Sequence, residues 1–198
     1  MDNLKYVKEY LSSSFAVKSK LVNDENLISK IIDVTELIEQ MFRNGNKLLI
    51  AGNGGSAGDA QHIAAEFVSR FFYDRPGLPA IALTTDTSML TAIGNDYGFE
   101  RIFSRQVRAQ GRAGDIFIGI STSGNSPNII AAIKEAKDLG IISIALCGKG
   151  GVLSSVADYA LEVPSKSTPH IQECHIVIGH IICGLVEELI FPNEKPDV

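Results

Sequence analysis

Basic runs, cysteine pairs and long apolar spans are all missing from this 198-residue sequence. Each absence removes a class of function. Lysine and arginine are thinly spread and outnumbered by acidic residues, leaving a net charge of −5. Nucleic acid would demand a clustered basic face, so it is not an expected partner. The three cysteines, Cys147, Cys174 and Cys183, form an odd set without CxxC spacing. They read as reduced thiols of a cytoplasmic protein. Cys174 and His175 are helix neighbours pointing about 100° apart, which argues against a nucleophile–base pair. Met1–Lys5 lacks the apolar stretch of a signal peptide, and no span reaches transmembrane length, so no membrane is expected. The most apolar late stretch, Ile176 to Leu189, is interrupted by His180 and Glu187 and reads as a buried helix. No GxxxxGK[ST] phosphate loop, internal repeat, low-complexity segment or interdomain linker is present.

What is present is an ordinary hydrophobic fraction of 45% in a chain long enough for one core. Leu4, Val7, Leu11, Phe15 and Leu21-Val22 recur at helical spacing up to Asn23-Asp24. A second helix runs through Leu27, Ile31, Val34, Ile38 and Met41 and stops at Asn44-Gly45. From there strands at Lys47–Ala51, Ala80–Leu83, Asp115–Ile120, Ile141–Leu146 and Tyr159–Val163 alternate with helices. The helices are expected at Ala57–Phe71, Thr87–Ile93, Phe99–Gln110, Pro127–Leu139 and Ile171–Ile190. Short apolar strands alternating with helices imply an α/β fold. Its core would be a doubly wound parallel sheet of about five strands covered on both faces. Residues 1–198 read as one domain, with 1–45 a helical pair packing on that body or on a neighbouring subunit.

Two polar loops follow strands, on the sheet edge where ligands of such folds sit. The first, Gly52-Asn53-Gly54-Gly55-Ser56, opens a helix carrying His62 and Glu66. It also fits GxGxxA, the dinucleotide fingerprint. Asp74, at the right distance for a ribose contact, falls in a turn before the second strand, so no nucleotide cofactor is expected. The second, Ser121-Thr122-Ser123-Gly124-Asn125-Ser126, precedes Pro127. One helix cap needs one such residue; four hydroxyls and a glycine at a helix start describe an anion cradle. With no lysine or arginine in it, the phosphate would be held by neutral donors and the helix dipole. His62 and Glu66, four apart, share a helix face among Ile63, Ala64, Phe67 and Val68, and a buried Glu there needs a partner or a metal. Gln172 and His180 lie on the last helix, separated by about 12 Å of helical rise. Either that helix is distorted or one of the two comes from another subunit. The expectation is that His180 acts across a subunit boundary. Asn95-Asp96 is expected in a turn beyond the helix Thr87–Ile93, as turn chemistry or a contact to sugar hydroxyls. His170 and His175 read as structural or surface residues.

Four of these segments together resemble the phosphoheptose isomerases, a branch of the sugar-isomerase (SIS) domain family. They are GNGGSAGDAQHIAAE at Gly52–Glu66, GNDYGF at Gly94–Phe99, GDIFIGISTSGNS at Gly114–Ser126 and IQECHIVIGH at Ile171–His180. The resemblance covers nearly the whole chain. It implies the SIS fold and isomerisation of sedoheptulose 7-phosphate to D-glycero-D-manno-heptose 7-phosphate, the first step toward the heptose of lipopolysaccharide or related surface glycans. It further implies a homotetramer with active sites at subunit boundaries. Glu66 and His180 correspond to an acid–base pair, and His62, Glu66, Gln172 and His180 to ligands of one zinc. Asn53, Gly54, Gly55, Glu66, Asn95, Asp96, Ser121, Thr122, Ser123, Ser126 and Gln172 correspond to contacts with the phosphorylated seven-carbon sugar. His170 stands where the family pattern has arginine. A relative that binds the replication initiator DnaA keeps the fold but lacks the Glu and His found here at 66 and 180. A sugar-phosphate sensor would usually carry a DNA-binding module, for which this length has no room.

Overall fold

The computed structural model describes residues 2–192 and 194, so Met1, Asn193 and the last four positions of the expected 1–198 span lie outside the description. Two helices come first, α1 (Asn3–Val22) and α2 (Glu25–Arg43). Each begins where an aspartate side chain takes up otherwise unpaired amides. Asp2 accepts from Leu4 and Lys5, and Asp24 accepts from Leu27. The remaining elements are β1 (Leu48–Gly52), α3 (Gly55–Val68), β2 (Ala80–Ala82), α4 (Thr87–Tyr97), a 3-10 turn (Phe99–Arg101), α5 (Ser104–Gln110) and β3 (Ile116–Ser121). Then follow α6 (Pro127–Asp138), β4 (Ile142–Gly148), α7 (Leu153–Val156), β5 (Tyr159–Val163) and α8 (Thr168–Ile190).

All five strands pair in parallel in the order β2-β1-β3-β4-β5. Every residue of β1 and β3 is buried, as expected where helices cover both faces. Alternation divides the core. Leu48, Ile50, Ile116 and Ile118 join α2, α3 and α8 through Val34, Ile38, Ile63, Phe67, Ile178 and Ile182. Leu49 and Phe117 face the other way, toward Val107 of α5 and Ile129 and Ile133 of α6. Phe67 is fully buried, and its truncation to alanine would cost about 3–5 kcal/mol. At the amino ends of β1 and β3, the fully buried Asp115 accepts from the Lys47 backbone (3.0 Å) and its ammonium (2.6 Å).

Several expectations need correction. Asn95-Asp96 is not in a turn: α4 runs past Gly94 to Tyr97, and Gly98, at φ +88°, ends it. An interior glycine costs a helix only about 1 kcal/mol, so Gly94 did not stop it. The single helix expected over Phe99–Gln110 is a 3-10 turn followed by α5. The four-residue α7 was not anticipated, being too short to show a period. Of the helical pair, α2 buries seven residues and packs on α8 and β5. By contrast α1 buries only Ser14 and Val17 and leaves Leu4, Leu11 and Phe15 exposed.

Candidate active site

The chain leaves β1 toward β2 on one side and returns to place β3 on the other, so strand order reverses between β1 and β3. Their carboxyl ends carry the two polar loops, which therefore flank one crevice, the usual ligand position in this architecture. Gly54, at φ +55°, turns the first loop directly into α3. Across the crevice the Asn53 and Asn128 carboxamides pair reciprocally at 2.9 and 2.8 Å. Asn128, 2% exposed, had no sequence signal, because its partner is 75 residues away.

In the second loop the Ser121 hydroxyl lies 2.8 Å from that of Ser126 and 3.4 Å from that of Ser123. Ser126 occupies the cap position of α6, yet its side chain makes no capping bond. The hydroxyl meets that of Ser121 instead. Gly124 (φ +66°) packs so closely on Gly151 that a Cβ would lie 2.8 Å from the Gly151 Cα. Asn125 accepts from the Val152 amide (3.0 Å), and the Thr122 carbonyl accepts from Gly148. The cradle is thus tied to the loop after β4.

From the crevice, α3 and α8 run side by side in the same direction. The Gln172 carboxamide lies against Gly55, Gly179 against Ile63, and His180 against His62. Glycine at 179 admits Ile63, whose Cδ1 would be 2.7 Å from any Cβ there. This parallel course corrects the expectation about His180. The helix α8 is continuous, and His180 reaches His62 and Glu66 of its own chain. His62 Nε2 lies 2.9 Å from His180 Nε2 and 3.1 Å from Glu66 Oε1, and the three ligand atoms fall within 4.8 Å of one another. Gln172 stands apart from them. Seven residues of α3 separate Gly55 from His62, about 10 Å of rise, so Gln172 borders the first loop. His62 is also more open than its apolar neighbours imply, its side chain 47% exposed against 24% for Glu66. Ala60, Ile63, Ala64 and Phe67 of α3 turn to the core, while Val68 and this pair look outward.

Two imidazole nitrogens and a carboxylate are a donor set that suits zinc, with room for a further ligand. One turn before His62, burial pushes the Asp59 carboxyl above the usual range, opposed by the nearby histidine, and its Oδ2 has no hydrogen-bond partner among the described residues. Asn95 and Asp96 are exposed on α4 and bond to each other at 2.8 Å. His170 is buried between α1 and α8, 2.9 Å from Ser13 Oγ. His175 is fully enclosed; burial lowers its pKa to about 4, only partly opposed by the Cys147 backbone, and neither ring nitrogen makes a full hydrogen bond. Both histidines are structural.

The SIS domain family model matches residues 9–148. Over 190 residues the chain is 60% identical to phosphoheptose isomerase of Aneurinibacillus thermoaerophilus, covering 96% of each. It is 58% identical over 193 residues to phosphoheptose isomerase 2 of Campylobacter jejuni, again 96% of each. Among solved structures, the phosphoheptose isomerase from Francisella tularensis superposes with a TM-score of 0.91 at 40% identity, over 95% of this chain and 100% of that one. The Neisseria gonorrhoeae enzyme gives 0.87 at 44% identity, over 93% and 98%. A fold shared end to end, at identities this high, places the chain in the phosphoheptose isomerase branch of the SIS-domain family.

Proposed function

We propose that this protein interconverts sedoheptulose 7-phosphate and D-glycero-D-manno-heptose 7-phosphate, an aldose–ketose isomerisation that begins heptose supply for lipopolysaccharide or related surface glycans. The observation that carries the reading is the meeting of Glu66, His62 and His180 two turns along α3 from a crevice walled by hydroxyls and amides. An acyclic sugar with its phosphate in that crevice would extend its other end, where the reacting carbons are, along α3. Ser121, Thr122, Ser123 and Ser126 hold the phosphate, whose charge also meets the amino-terminal end of α6. Asn53, Gly54, Gly55 and Gln172 border the chain of hydroxyls. Asn95 and Asp96 add contacts from α4.

In the ketose-to-aldose direction Glu66 removes a proton from C1, next to the carbonyl carbon C2, giving an enediol. Its return to C2 completes the aldose. His180 moves the accompanying proton between the two oxygens, donating to O2 and accepting from O1. A zinc ion, when held by His62, Glu66 and His180, would polarise the carbonyl as a Lewis acid. Gln172, the fourth ligand that the family resemblance implies, borders the first loop and is better placed for the substrate.

The working form is a homotetramer in the cytoplasm, the whole chain acting as one SIS domain with residues 1–45 as its helical extension. The apolar side chains that α1 leaves uncovered, with Phe15 73% exposed, support burial against other copies. Turnover of sedoheptulose 7-phosphate, followed with metal content before and after chelation, tests the reading. Activity that falls with removal of one zinc per chain supports it, and metal-replete protein that leaves the substrate unchanged overturns it.

A further inference from the structure

Seven residues beyond His180, α8 turns a fully buried carboxylate, Glu187, toward the end of α3. Its Oε1 accepts from the Phe71 amide (2.8 Å) and from Arg75 Nε (2.9 Å), and its Oε2 from the Phe72 amide (2.6 Å). Arg75, its side chain 1% exposed, donates its other hydrogens to backbone carbonyls. Nη1 reaches Phe67 (2.6 Å), Ser69 (3.2 Å) and Pro76 (3.1 Å), and Nη2 reaches Glu66 (2.8 Å). Phe67 and Glu66 belong to the last turn of α3, where carbonyls lack intrahelical partners. That turn carries no basic residue of its own. A guanidinium from the following loop therefore caps the helix and neutralises its negative end.

Stability alone is a poor reason for such a pair, because burying two charges costs as much as their attraction returns, and apolar replacements often serve as well. What the pair supplies is register. Elsewhere along this seam α3 and α8 meet through the site's own His62–His180 contact, the Gln172 carboxamide on Gly55, and apolar contacts such as Ile63 on Gly179, which lack direction. A planar fork bonded to four carbonyls on one side and a carboxylate of α8 on the other has a single fit. We propose that Arg75 and Glu187 are positioning residues of the isomerase. They hold the last turn of α3, with Glu66 on it, at the one height that brings His62 and Glu66 to His180. The inference rests on the reading of Glu66 and His180 as the acid–base pair.

The test compares two variants with wild type and with Glu66→Gln. Arg75→Lys keeps the cation but loses the fork. The double variant Arg75→Met/Glu187→Leu removes both charges at similar volume and guards against a fold lost to one unpaired charge. Each is assayed for kcat, KM and Tm at temperatures where circular dichroism shows it fully folded. Displacements near 1 Å can cost on the order of 100-fold in rate. The expected result is a kcat lower by roughly 10- to 100-fold with KM nearly unchanged, since the phosphate loops lie at the far end of α3. Wild-type kcat in either folded variant overturns the inference. So does a loss of kcat that disappears once the temperature is lowered far enough to fold the variant, which would mark the pair as structural only. Wild-type turnover by Glu66→Gln would instead overturn the reading of the site beneath it.

Discussion

The two ends of the α3–α8 seam are built from different chemistry. At the head, by Gly55 and Gln172, the side chains of both polar loops are uncharged: carboxamides at Asn53, Asn125 and Asn128, hydroxyls at Ser121, Ser123 and Ser126. Seven and eleven residues later along α3, about 10 and 16 Å by helical rise, stand His62 and Glu66 with His180 of α8 beside them, and then the buried Arg75–Glu187 pair. Neutral donors do not change protonation with pH, so a cradle made of them adds no titration of its own to phosphate binding. The groups proposed to accept and release protons sit at the other end of the seam. One helix carries both ends, which sets the spacing between the polar loops and the His62–Glu66–His180 cluster.

The largest effect expected of any change belongs to the tail. Glu66→Gln is nearly isosteric and removes the proposed base together with one carboxylate of the metal-ligand set, so kcat should fall by about 10²–10⁴ with little change in Tm or in binding of phosphate ligands. Measured kcat and KM check this, and a rise in KM with intact kcat would erase the division between the two ends. The head should respond in the opposite way. Ser121→Ala with Ser123→Ala removes hydroxyls that bind a charged group, each worth about 1.5–3 kcal/mol. The two are neighbours at 3.4 Å and will not add fully. KM is expected to rise roughly ten- to a hundredfold, and unchanged affinity would place the phosphate elsewhere.

Asn128→Ala sharpens the comparison within the head. It strips Asn53 of both its carboxamide bonds, at a cost to stability of about 1–3 kcal/mol. Chemical denaturation measures it, and a kcat effect larger than the KM effect would show that the head also governs the chemistry. The smallest effect concerns Glu173, next to Gln172 in the sequence. A hydrogen bond from Ser14, then the Lys18 ammonium at 2.9 Å, lower its pKa from 4.5 to about 2, against some desolvation. A carboxyl depressed on folding contributes stability that is complete above its unfolded pKa and lost as pH falls. The loss should thus span pH 4.5 down to 2, and Glu173→Gln should abolish it. Because the side chain is a third exposed, the change in Tm will be slight. Identical acid profiles for the two proteins would remove Glu173 from the account.

Much of this was legible in the order of residues. The strands of the sheet, the two loops and the helices that follow those loops are local features, written by apolar runs, glycines and caps, and their observed ends lie within three residues of the expected ones, whereas α4 ran four residues further than expected. The pairing of His62 with Glu66 is equally local, since four residues make one helical turn. The limits appeared wherever two distant segments had to be set against each other. Helical rise correctly separated Gln172 from His180, but not that α3 runs parallel to α8, giving each of the two residues its own partner on the neighbouring helix. Glu187 read only as a break in an apolar run, and Arg75, next to Asp74 in its turn, drew no reading of its own, because nothing in residues 112 positions apart carries a trace of their contact. Asn128 finding Asn53 is the same case. Sequence periodicity reports which face of an element is apolar; it holds no information on the height at which one helix meets the next. That height was decided by tertiary packing, through Gly179 admitting Ile63 and a buried ion pair with one geometry, and it is what turned three scattered side chains into a single site.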